Sequence, residues 1–143
     1  MLYSDTQKQA LGAISNCQME TELVQALASS NLAMELSGIP LKFTPKGLGQ
    51  TPDGQDLTLG ELAADSDVAA WRDQKKADLV QAIVALPPDL CGQGRLFNNK
   101  KTSGFSVVRA ICLDFEVHTH EFGHNLGCGH ELGNEDERGW DEY

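Results

Sequence analysis

All four histidines of the chain, His118, His120, His124 and His130, fall in one short stretch, "HTHEFGHNLGCGHE". If residues 116–126 are helical, His120 and His124 sit one turn apart on the same face, with about 6 Å between their Cβ atoms, and can close on one metal ion. Glu121, one residue on from His120 and about 100° round the helix, reaches a ligand of that metal without binding the metal itself. Its expected role is general base. Gly127 can take the positive φ that ends a helix and turns the chain back, which delivers His130 as a third ligand. Three neutral imidazoles around Zn²⁺ leave the fourth position to water, the arrangement of a catalytic rather than a structural site, and the chemistry this predicts is amide hydrolysis. The five fixed positions of HExxHxxGxxH should match by chance on the order of 10⁻⁶ or less per starting point, so the extended pattern is specific where a bare HExxH is not. His118 projects to roughly the opposite face from His120 and is expected to be a surface or packing residue.

A chain of 143 residues fits one domain with a real core. The net charge of -10 and pI near 4.6 argue against nucleic acid and anionic membranes as partners. The longest apolar stretch, "LVQAIVAL", is broken by Gln81 and is far shorter than a bilayer span. No basic region followed by an apolar run opens the chain, so no secretory signal is visible in it. Cys17, Cys91, Cys112 and Cys128 form no CxxC pair, against a zinc ribbon or a dithiol redox site. Two disulfides, one, or four thiols remain open on spacing alone.

The elements that must position the histidines alternate between helical and extended patterns, which predicts an α/β fold. Asp5 can cap a helix through "TQKQALGAIS", and "METELVQALASSNLAMEL" places Leu23, Ala26, Leu27, Leu32 and Leu36 at helical spacing until Gly38. "IPLKFTP" alternates like a half-buried strand, and "KGLGQTPDGQD" reads as a loop. Thr58 with Glu61 fits a capping box. "SDVAAWRDQKKA" reads as a short helix, "ADLVQAIVAL" as a strand central in a sheet, "PPDLCGQGRLFNNKKTSG" as an irregular excursion and "FSVVRAIC" as a further strand. The acidic "ELGNEDERGWDEY" reads as a solvated terminus.

With these residues the chain resembles a metzincin zinc metallopeptidase, most closely the reprolysin-like, adamalysin-related bacterial group that includes peptidyl-Asp metallopeptidases. "NLAMELSGI", "WRDQKKADLV", "CGQG" and "GFSVVRAIC" resemble that family's elements ahead of its active-site helix. The resemblance implies a zincin-like mixed sheet packed with helices, Zn²⁺ held by His120, His124 and His130, and Glu121 as catalytic base. It also implies a Cys91–Cys112 disulfide and an edge strand near Gly92 to Phe97 that takes extended peptide by strand addition. A monomeric, secreted endopeptidase acting on peptide or protein substrates is the functional expectation. The chain departs from the family at its methionines, Met1, Met19 and Met34, none of which follows the third histidine. The methionine-containing turn beneath the zinc is therefore missing. Because "MLYSDTQ" looks like the close of the family's first strand, residues 1–143 are expected to be one catalytic domain shortened at both ends, with the C-terminal subdomain absent.

Overall fold

A computed structural model describes residues 1–97 and 103–130, leaving the acidic terminal stretch and part of the excursion after Phe97 outside the described residues. Its frame is a five-stranded sheet in the order β2-β1-β3-β5-β4. The strands are β1 (Leu2–Tyr3), β2 (Gly49–Gln50), β3 (Val80–Ile83), β4 (Gly92–Gly94) and β5 (Phe105–Val108). Parallel pairing joins β2 to β1, β1 to β3 and β3 to β5, and β4 runs antiparallel to β5 at the edge. This is a mixed α/β fold with a mostly parallel sheet.

The apolar pattern of β3 explains its central place. Val80, Ala82 and Val84 face one side with Leu62, Val68, Phe105 and Val107, while Ile83 faces the other with Tyr3, Met19, Leu23, Leu27, Val108 and Phe122. Successive side chains of a strand alternate between faces, so a nearly continuous apolar run serves a sheet covered on both sides. Helices α3 (Leu59–Ala64) and α4 (Ser66–Lys75) supply the first cover, and α2 (Asn16–Leu36) with α5 (Val117–Asn125) the second. No helix among the described residues is long and apolar enough to cross a membrane.

Several sequence expectations shift by a residue or two. Ser4, not Asp5, caps α1 (Asp5–Ala10), its side chain accepting from Gln7 N, and the helix stops before a separate cap at Ser15 opens α2. The buried stripe of α2 is Met19, Leu23, Leu27 and Ser30; Leu32 and Leu36 face solvent. The Thr58–Glu61 capping box forms as expected.

The expected strand at "IPLKFTP" does not form. Pro40 and Pro45 have no N–H to give a ladder, and the Phe43 backbone instead bonds a side chain: Phe43 N donates to Asn31 Oδ1 at 2.7 Å and Asn31 Nδ2 to Phe43 O at 2.9 Å. The second edge strand lies within the expected loop, at Gly49–Gln50, held to Tyr3 through Thr51 N at 2.9 Å.

Cys91 and Cys112 form a disulfide closing 21 residues of sequence, and Cys17 and Cys128 are free and exposed. It ties the start of β4 to the 3-10 turn Ala110–Phe115 that leads into α5. Loop closure over that length is worth about 3 kcal/mol in the chain-entropy picture. Cys91→Ser combined with Cys112→Ser is therefore expected to cost stability on that scale, read as a lower urea midpoint with a steeper slope, because the denatured chain without the cross-link exposes more surface.

Candidate metal centre

Helix α5 begins at an unusual residue. Glu116 takes a left-handed conformation, φ 58, at the junction between the 3-10 turn and the helix. The Ser29 hydroxyl donates to its carboxylate, and Thr119 Oγ1 donates to it at 2.8 Å. Burial alone would raise the Glu116 carboxyl, but these bonds and the neighbouring His118 hold it below its ordinary range. The turn into α5 is thus fastened to α2 by side chains rather than by a helix cap.

His118 strengthens the same joint. It is fully buried, and its Nε2 lies 2.9 Å from Ala26 O and 2.8 Å from Ser30 Oγ. A carbonyl only accepts, so Nε2 carries the proton and donates to Ala26. His118 is a packing residue that locks α5 to α2. From the sheet side, Gln81 Nε2 donates to His118 O and to Ser106 Oγ, each at 3.0 Å. The one polar interruption of "LVQAIVAL" is therefore the point where β3 holds α5.

At the far end, Asn125 Nδ2 lies 2.9 Å from the carbonyls of Arg95, Ser103 and Phe105, and Phe97 N donates to His124 O at 3.1 Å. These bonds fix the end of α5 to the segment leaving β4 and to the start of β5. Asn125→Asp would place a carboxylate against three carbonyls; a loss of about 2–3 kcal/mol is expected, measured by urea unfolding.

With the helix held at both ends, His120 and His124 project from one face. Gly127, φ 100, turns the chain back, with its N–H donating to His124 O at 3.0 Å and Cys128 N to Gly123 O at 2.9 Å. His130 returns alongside. One ligand atom from each of His120, His124 and His130 lies within 4.8 Å of the others. His120 Nε2 and His130 Nε2 are 3.0 Å apart, against about 3.3 Å for two nitrogens on a tetrahedral ion with bonds near 2.0–2.1 Å. His124 Nδ1 donates to Cys128 O at 2.7 Å, which places its proton and leaves Nε2 with the lone pair a metal needs. The donor set and its spacing fit zinc. The helix boundaries and the return of His130 match the sequence expectation to within a residue.

Glu121 stands beside this cluster and is 5% exposed. Burial pushes its carboxyl up to about 7. The cause of that burial is β4. A Cβ built on Gly92 would lie 2.6 Å from Glu121 Oε1, and one on Gly94 would lie 2.6 Å from Glu121 O and 3.1 Å from Oε2. Sequence reasoning missed this contact, along with the roles of Gln81 and Asn125. The alternating glycines of "CGQG" were its one legible sign.

Residues 55–139, more than half of the chain, match the model of the family Metallo-peptidase family M12B Reprolysin-like. No curated protein matches the chain. A chain in a solved structure described as "Structure of a chaperone-substrate complex" matches with a TM-score of 0.72 and 18% identity over 92% of this chain. This chain spans 26% of that one, and at such identity the likeness is one of fold.

Proposed function

The chain belongs to the reprolysin-like M12B metallopeptidase family, and on that premise we propose that it is a zinc-dependent endopeptidase. The observation that carries the reading is the meeting of three imidazoles within 4.8 Å beside a carboxyl, that of Glu121, buried against β4. His120, His124 and His130 would hold the ion. When bound, zinc supplies a Lewis acid that makes water a better nucleophile and draws charge from a carbonyl. Glu121 would take the proton from the attacking water and later give it to the leaving amine, the role of a positioned acid–base carboxyl. The His124 Nδ1 bond to Cys128 O keeps that imidazole in its ligating tautomer.

Strand β4 ends the sheet and lies against Glu121, so an extended peptide paired to its outer edge would pass the acid–base group. Peptide or protein is accordingly the proposed substrate, with the chain acting as a monomer. The Cys91–Cys112 bridge supports action in an oxidising compartment outside the cytoplasm, as a secreted protein.

The test is to purify the chain at neutral pH, measure zinc, and follow cleavage of an unfolded protein substrate before and after chelation. One zinc per chain, and cleavage lost on chelation and restored by zinc, are expected. Zinc bound without any cleavage would reduce the chain to a metal-binding module, and absence of zinc would remove both readings.

A further inference from the structure

We infer that Gly92 and Gly94 are positioning residues for Glu121: two glycines, alternating on the edge strand, leave the space into which its carboxylate fits and so fix where its oxygens stand. The inference rests on the proposed peptidase reading and deepens it. Residues two apart on a strand face the same side, and here both face α5. A methyl at Gly92 would meet only Glu121 among its nearest atoms, Oε1 at 2.6 Å, Cγ at 2.8 Å and Cδ at 2.9 Å. A methyl at Gly94 would meet the backbone oxygen of Glu121 at 2.6 Å, then Oε2 at 3.1 Å and His124 Cβ at 3.2 Å.

The two positions therefore do different things. Gly92 limits the side chain alone, and Gly94 limits how closely the whole strand approaches the helix that bears the base and the second histidine. The strand itself is anchored independently of these contacts, by the disulfide at Cys91 and by pairing of Gly92, Gln93 and Gly94 with Val108, Val107 and Ser106. An anchored strand cannot simply retreat from an added methyl. At Gly92 the group that yields is the Glu121 carboxylate, displaced on the scale of an ångström, and a misplacement of that size in a reacting group costs up to about 10²-fold in rate. At Gly94 the first obstacle is the Glu121 backbone oxygen, so the strand and helix must part.

The test is a comparison of Gly92→Ala in two backgrounds, the parent and Glu121→Ala, with thermal unfolding, zinc content and steady-state cleavage measured on each chain. In the parent background Gly92→Ala is expected to lower kcat about 10- to 100-fold, with KM and zinc content unchanged, and to lower Tm by a few degrees. In the Glu121→Ala background the atoms struck are gone, so the same substitution should leave Tm unchanged; coupling between neighbours is what such a cycle measures. Gly94→Ala, in contrast, should lower Tm in both backgrounds, because its first obstacle is the main-chain oxygen.

An unchanged kcat in Gly92→Ala, or an equal fall in Tm with and without the Glu121 carboxylate, would overturn the inference. If the parent chain cleaves nothing, the peptidase reading fails on its own, and the thermal cycle still decides whether Gly92 constrains Glu121.

Discussion

Glu121→Gln is expected to keep one zinc per chain and to lower peptide hydrolysis about 10²- to 10⁴-fold, the range a positioned acid–base group contributes. The substitution preserves the shape that fits under β4 and removes the proton acceptor. Because Glu121 is not among the three residues that converge as ligand donors, metal content should not follow activity. Zinc analysis beside the cleavage assay checks both halves. A Gln variant that still turns over at a rate close to the parent would show that the proton moves by another route. Loss of zinc in that variant would show that the carboxylate belongs to the metal site itself.

His124→Ala is expected to do the reverse and remove the metal first. Two imidazoles rarely hold zinc against water, so affinity should fall at least ~100-fold, a loss larger than that from disturbing an outer partner of a ligand. Cleavage would disappear with it. Cys128→Ser is the matched control: the bond to His124 Nδ1 comes from the backbone carbonyl of Cys128, which the substitution keeps. Its zinc content should equal the parent's. Titration with a zinc indicator under competition separates the outcomes, and equal affinity in His124→Ala and parent would dismiss the three-histidine assignment.

The arrangement of the histidines in "HTHEFGHNLGCGHE" was readable from the sequence because it is local. Helical periodicity alone puts His120 and His124 on one face and Glu121 on the next, and a single glycine is enough to end the helix and bring His130 back. The central strand was readable for a similar reason: a short apolar run buried on both faces carries little polar pattern, and Val80–Ile83 is that strand. Where local pattern was matched by a competitor it misled. "IPLKFTP" alternates as a strand would, but its backbone groups are met by Asn31 from α2, a partner twelve residues away in sequence that no periodicity announces.

What only the tertiary structure decided is the setting of Glu121, the proposed base. Residue types fix that Glu121 carries a carboxyl; its burial comes from β4 lying on it, through a strand 27 or more residues earlier in the chain. Likewise, His118 was separable from the ligands by helix geometry, whereas its work in joining α5 to α2 depends on Ala26 and Ser30. Sequence determines which groups share a helix face, because that follows from backbone geometry within a turn. Burial, and with it the proton affinity of a carboxyl, depends on which distant segments pack against it, and that is settled only when the whole chain folds.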